Sequence, residues 1–184
     1  MARAFLDGGV RCIQLRGKDL PSNQFLELCD AVIAMAKPYQ ATVIVNDRVD
    51  LALMSLASGV HVGQEDLAPA SARQILGDDA VVGLSTHTVA QAEAALREPI
   101  TYLAVGPVFG TRTKDTGYEA VGLDLVSSVA RMAGRVPVVA IGGITLANAR
   151  SVIDAGAAAV AVIGDLLIDK DVRRRADAYV RALA

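Results

Sequence analysis

Seven short apolar runs recur along this 184-residue chain, and each opens into a cluster of polar or glycine residues. Val10-Arg11-Cys12-Ile13 leads into Gln14-Leu15-Arg16-Gly17-Lys18, and Thr42-Val43-Ile44-Val45 into Asn46-Asp47-Arg48. Gly59-Val60-His61-Val62 leads into Gly63-Gln64-Glu65-Asp66, and Val81-Val82-Gly83-Leu84 into Ser85-Thr86-His87. Tyr102-Leu103-Ala104-Val105, Val138-Val139-Ala140 and Ala159-Val160-Ala161-Val162 lead into Gly106-Pro107, Ile141-Gly142-Gly143-Ile144 and Ile163-Gly164-Asp165. Runs this continuously apolar suit parallel strands covered by helices. Polar clusters at strand carboxyl ends are where α/β proteins assemble their sites from many loops.

The pattern predicts strands over 11–14, 42–45, 60–62, 81–84, 102–105, 137–141 and 159–163, with helices between them. The clearest helix follows Pro21, with Ser22 as its expected cap and Phe25, Leu26, Cys29, Val32, Ile33 and Ala36 as its apolar stripe, and Pro38 ends it. Others are expected over Val49 to Ala57, after Pro69, over Thr88 to Leu96, over Leu123 to Met132, from Thr145 to Gly156, and from near Asp169 onward. Residues 2–7 read as the tail of one more helix. A closed parallel barrel wants eight strands, so seven imply one domain, residues 1–184, that lacks the first strand of such a barrel. An open doubly wound sheet is the alternative, weakened by the absence of a Gly-x-Gly-x-x-Gly turn.

The length supports one good core. A formal net charge of −2 gives no electrostatic reason to expect nucleic acid. No apolar stretch reaches membrane-spanning length, and the N-terminal residues lack a signal-peptide core, so a cytoplasmic location without membrane association is expected. Cys12 and Cys29 have no metal-ligand spacing and are expected to be buried thiols. A homodimer through barrel helices is compatible with the sequence, although packing on the sheet already accounts for the apolar helix faces.

The clusters combine cations, carboxylates and glycine turns, a set suited to an anionic substrate with a divalent metal. Gln14, Arg16 and Lys18 alternate along extended chain and so present one face; Arg grips phosphate bidentately and Lys adds a point charge. Asp47 and Asp66 follow successive strands and are the candidate Mg²⁺ ligands, since Mg²⁺ commonly uses one or two carboxylates plus substrate phosphates. The alternatives for Asp47 are a helix cap or a salt bridge to Arg48. Asn46 can orient a phosphate oxygen or cap the next helix. Ser85 is a candidate phosphate donor, His87 a helix-start residue or a ligand contact, and His61 a packed, hydrogen-bonded residue rather than a base. The long loop 106–117 offers Thr111, Thr113 and Lys114 as a phosphate grip. Gly143 and Gly164 end the last two units, where barrels commonly bind phosphate.

The ordered set Gln14-Leu15-Arg16, Asn46-Asp47-Arg48-Val49-Asp50, residues 59–66, Gly106-Pro107-Val108-Phe109 with Thr111-Arg112-Thr113-Lys114, and Ala140-Ile141-Gly142-Gly143-Ile144 resembles thiamine phosphate synthase across essentially the whole chain. The resemblance implies a TIM (β/α)8 barrel. It implies a transferase that joins hydroxymethylpyrimidine diphosphate to thiazole phosphate with Mg²⁺, releasing diphosphate by a dissociative route. It assigns Gln14 to the pyrimidine, and Arg16, Lys18, Asn46, Ser85 and Lys114 to the diphosphate. Asp47 and Asp66 go to the metal, and Thr111, Thr113, Gly143, Ile163 and Gly164 to the thiazole phosphate. Two departures stand out: one strand fewer at the start, and Gly164 where relatives commonly have Ser. The rival readings are a thiazole tautomerase, which typically has His at the place of Pro107, a non-catalytic ligand-binding barrel, and a phosphate-binding barrel of another pathway.

Overall fold

The computed structural model describes residues 1–110 and 117–184. Among the described residues seven strands, β1 (Cys12–Leu15), β2 (Thr42–Asn46), β3 (Gly59–Val62), β4 (Val81–Thr86), β5 (Tyr102–Val105), β6 (Val138–Ile141) and β7 (Ala159–Ala161), pair in parallel in sequence order. The helices are α1 (Ala2–Asp7), α2 (Ser22–Ala36), α3 (Val49–Met54), α4 (Pro69–Leu76), α5 (Val89–Ala95), α6 (Gly122–Met132), α7 (Ala149–Asp154) and α8 (Val172–Leu183). None among the described residues is long and apolar enough to cross a membrane.

Register sorts the side chains. Cross-strand partners share a face, so one row holds Ile13, Val43, Val45, Val60, Val62, Val82, Leu84, Leu103, Val105, Val138 and Ala140, all buried against the helices. The opposite row holds Cys12, Gln14, Ile44, Asn46, His61, Gly83, Ser85, Tyr102 and Ala104. That inner row touches across the sheet: the His61 ring on β3 hydrogen-bonds the Tyr102 hydroxyl on β5 at 2.8 Å, and Tyr102 also has Gln14 on β1 as a hydrogen-bonding neighbour. In a flat sheet β1 and β5 stand about 19 Å apart, four spacings of about 4.8 Å. The sheet is therefore curled on itself as an incomplete (β/α)8 barrel. Helices close round the outside, where α1 packs on α8. A Cβ at Gly8 would stand 2.6 Å from the Arg173 carbonyl oxygen and 2.7 Å from the Ala176 methyl, so that crossing requires glycine.

Three sequence expectations need correction. Ser22 does not cap α2: it lies inside the first turn after Pro21, and its hydroxyl accepts from Arg48 instead. Helix α7 starts at Ala149 rather than near Thr145, because the Thr145 amide donates to the Asn148 side chain in a tight loop. Cys29 is buried but Cys12 is exposed, lying on β1, which is an edge of the sheet among the described residues. The remaining helix limits lie within three residues of those expected: α3 ends at Met54 because Leu56 turns left-handed at φ 56°, and α8 starts at Val172 because the Asp171 side chain caps it by accepting from the Arg174 amide.

The α2 stripe links fold to site. Phe25, Cys29, Val32 and Ala36 are buried at helical spacing, and the Phe25 ring lies where a Cβ at Gly17 would be 2.9 Å away, beneath the turn that carries Lys18. Phe25→Ala removes that support and leaves a cavity. The expected cost is about 3–5 kcal/mol, read in urea denaturation as a lower midpoint and in calorimetry as a Tm fall of about 6–20 °C.

Candidate active site

The carboxyl ends of β1, β2 and β3 converge on two carboxylates. The Asp47 amide donates to the His61 carbonyl at 2.8 Å and the Arg48 amide to the Asn46 carbonyl, so the turn after β2 is pinned to β3. Asp47 sits there at φ 63°, a left-handed conformation that Asp tolerates better than most residues. Lys18, on the turn after β1, places Nζ 3.5 Å from Asp47 Oδ2. Asp66 Oδ2 accepts from the Gly63 amide at 2.8 Å, which aims its carboxylate back toward β3. Burial pushes the Asp47 carboxyl above the usual range, the hydrogen bond and charge of Asp66 push it further, and Lys18 partly opposes them. Lys18, Asn46 and Asp47 line a cavity of about 170 Å³ together with Gly17, Leu20, Phe25 and Arg48.

That pair is the test for the implied Mg²⁺. Asp47, raised by burial and by the neighbouring Asp66 charge, gains from a cation shared between the two, and oxygen donors are the type Mg²⁺ prefers. No group of three or more His, Cys, Asp or Glu gathers among the described residues, so the remaining positions would fall to substrate oxygens and water. Arg48 is occupied elsewhere: it forms an exposed fork to Asp50, so the Asp47–Arg48 salt-bridge alternative does not form.

A second cluster lies inside the barrel. Ser85 Oγ meets His61 Nε2 at 2.7 Å, Tyr102 meets Nδ1, and Gln64 Nε2 donates to the Ser85 carbonyl at 2.6 Å. Burial drives the Tyr102 hydroxyl well above the ordinary tyrosine range, nearby Cys12 adds to this, and Gln14 opposes it, so the phenol stays a donor at neutral pH. In the neutral imidazole one nitrogen donates and the other accepts. In the tautomer in which Tyr102 donates to Nδ1, Nε2–H donates to Ser85 Oγ. His61 is packed and hydrogen-bonded, as its strand position predicts. His87 precedes α5, stacks on the Tyr118 ring at 3.8 Å and bonds the Gly106 carbonyl.

A third group lies at the ends of β6 and β7. Gly143 has φ 66°, and a Cβ there would come within 2.6 Å of the Gly110 carbonyl oxygen and 2.7 Å of Phe109. Only glycine lets that turn pass under the β5 loop. Ile163 and Gly164 are exposed on the turn after β7. Arg16 is exposed just after β1 and Gln14 is exposed on its inner side. Thr111, Thr113 and Lys114 lie outside the described residues. The sequence reading missed Tyr102 and Gln64. The signal for Tyr102 was Gly83, its register partner: a Cβ at Gly83 would fall 2.1 Å from the Tyr102 ring, so the glycine makes room for that ring.

The thiamine monophosphate synthase family model matches residues 1–166. The chain belongs to that family. It is 43% identical over 182 residues to a thiamine-phosphate synthase of Koribacter versatilis, spanning 99% of this chain and 84% of that protein. It is 44% identical over 167 residues to one of Roseiflexus castenholzii, spanning 91% and 73%. Among solved structures, thiamine phosphate pyrophosphorylase from Pyrococcus furiosus superposes with a TM-score of 0.92 at 32% identity, covering 99% of this chain and 87% of that one. A 3-hexulose-6-phosphate synthase at 19% identity and a TM-score of 0.70 shares the fold. The resemblance drawn from the ordered motifs therefore holds at the level of family and barrel.

The carboxylate pair gives a test within this family member. Asp66→Asn keeps an oxygen for the Gly63 amide and removes the repulsion with Asp47. In EDTA at neutral pH it should raise stability by about 1 kcal/mol, a Tm gain of about 2–4 °C. Adding Mg²⁺ should raise the Tm of the parent and leave that of the variant where it was.

Proposed function

We propose that this chain couples 4-amino-2-methyl-5-hydroxymethylpyrimidine diphosphate to 4-methyl-5-(2-phosphooxyethyl)thiazole, giving thiamine phosphate and diphosphate. The observation that carries the reading is the Lys18–Asp47–Asp66 group at the strand ends, beside buried Asn46. It offers a cation for a diphosphate and two carboxylates for a divalent metal. Residues 1–184 act in this reading as one barrel unit, and the substrates are small soluble molecules.

The chemistry follows from charge. The bond from the pyrimidine methylene carbon to the diphosphate oxygen breaks, and its electron pair leaves with diphosphate. The thiazole nitrogen lone pair then forms the new C–N bond. Negative charge grows on the departing oxygens, so preorganised cations and N–H donors aimed there lower the barrier. Lys18, Arg16, Asn46 and Ser85 take that role, joined by Lys114 of the β5–α6 loop. Gln14 and the Tyr102–His61 pair orient the aminopyrimidine, whose own electrons help expel the leaving group. Asp47 and Asp66 would hold Mg²⁺, which when bound neutralises diphosphate charge. Gly143, Gly164 and Ile163, with Thr111 and Thr113, receive the thiazole phosphate, which brings the nitrogen to the methylene carbon. Gly164 has no hydroxyl to give, so its share is limited to the backbone N–H.

A barrel that binds these phosphates without turnover is the second reading, favoured by the exposure of Gln14 on the open inner side of β1. The deciding experiment supplies both substrates to the 184-residue chain and measures thiamine phosphate and diphosphate with and without Mg²⁺. Mg²⁺-dependent, equimolar products are expected; binding of thiamine phosphate without any product would establish the second reading. Lys18→Ala should lower kcat/KM by about 10–100-fold, or about 1.4–2.7 kcal/mol of transition-state stabilisation.

A further inference from the structure

The turn after β7 carries a carboxylate that neither diphosphate binding nor a metal uses. Asp165, in the short 3-10 turn Gly164–Leu167, is only 9% exposed at its side chain. Its Oδ2 accepts from three donors: the Leu146 amide at 3.1 Å, Arg175 at 2.7 Å, and the Tyr179 hydroxyl in a short bond. Arg175 and Tyr179 are four apart on α8 and so share a face, where the guanidinium also lies 5.9 Å from the Tyr179 ring centre. Arg175 Nε closes the group by donating to the Asp165 carbonyl. One oxygen thus joins the turn after β7, the loop after β6 and the last helix.

The loop it grips is the one that starts with Gly142-Gly143. That loop is already held from the other side: Phe109 N donates to the Gly142 carbonyl, Asn148 Nδ2 donates to the Gly143 carbonyl, and Asn148 Oδ1 accepts from Thr145 N. Leu146 is the next residue after Thr145, and Asp165 adjoins Gly164. The two glycine turns are therefore tied together through a single carboxylate.

We infer that Asp165 is a positioning residue that fixes the spacing between the Gly143 and Gly164 turns, with Arg175 and Tyr179 on α8 as its anchors, so that both turns meet one phosphate. This rests on the reading of those turns as the thiazole phosphate site. A free carboxylate next to a phosphate would repel it; here the guanidinium offsets the charge. Burial alone would raise the Asp165 carboxyl, but the Tyr179 and Arg175 hydrogen bonds and the Leu146 amide together hold it below the usual range, so the anchor stays ionised at neutral pH. Tyr179 is pushed up by burial and by Asp165, and so remains a donor.

The test uses the full chain and four proteins: parent, Asp165→Ala, Asp165→Asn and Tyr179→Phe. Asp165→Ala should raise KM for thiazole phosphate by about 10–30-fold, with kcat within about threefold and KM for the pyrimidine diphosphate within about twofold. Asp165→Asn, which keeps an oxygen for the Leu146 amide, should fall between parent and Asp165→Ala; Tyr179→Phe should shift the same constant by less. A merely structural role would move all three kinetic constants together or none, and either result overturns the proposal. Should Asp165→Ala fail to fold, the Asn and Phe variants carry the same ordering. Hydrogen exchange gives a readout free of activity: amides over 143–147 and 163–167 should exchange faster in Asp165→Asn, while those of β2 and β3 stay as in the parent. Unchanged exchange at 143–147 overturns the proposal. A parent that makes no thiamine phosphate overturns the reading of the site instead, and leaves the exchange experiment to decide the coupling.

Discussion

A parallel sheet wrapped by helices must be apolar on its outer face, so polar chemistry is confined to the inner row and to the turns at the strand ends. The molecule is organised by that constraint. The outer row of valines and leucines is buried without exception from β2 to β5. The inner row is the place where Asn46, His61, Ser85 and Tyr102 can stand at all; His61 bonds both Tyr102 and Ser85 there, and no buried side-chain polar atom among the described residues lacks a partner. The curl of the sheet supplies those partners by bringing β1, β3 and β5 within reach of each other.

The same constraint explains why the site is electrostatically uneven. At the β1–β3 ends two carboxylates and a lysine stand together, and burial and the Asp66 charge hold the Asp47 carboxyl above its usual range. At the β6–β7 ends charge is already balanced, with Asp165 held by Arg175, and what faces outward is glycine backbone. In the proposed reaction the first region meets the group whose charge grows and the second meets the group whose charge stays constant. Spending unbalanced charge only at the leaving group is how binding turns into rate rather than affinity.

Much of this was legible before the structure. All seven strands lie within two residues of their predicted limits, because continuous apolar runs followed by polar clusters have few other foldings in a chain of this size. Lys18, Asn46, Asp47 and Asp66 could be singled out as candidates because each lies at the carboxyl end of its strand or within four residues of it. What failed depended on contacts distant in sequence. Ser22 looks like a cap until Arg48 takes its hydroxyl. Cys12 looks buried until its strand proves to be an edge. Tyr102 reads as a strand residue until register sets it opposite Gly83 and beside His61. Asp165 gives no local signal, since its three donors come from Leu146, Arg175 and Tyr179.

In the proposed reaction the Asp47–Asp66 pair would hold a divalent cation against the departing diphosphate. The most direct measurement is the Mg²⁺ dependence of kcat in Asp47→Asn/Asp66→Asn beside the parent, with thiazole phosphate binding followed by calorimetry in both. The double variant is expected to bind thiazole phosphate still and to lose Mg²⁺-stimulated turnover. A double variant that keeps the parent's Mg²⁺ response would contradict it.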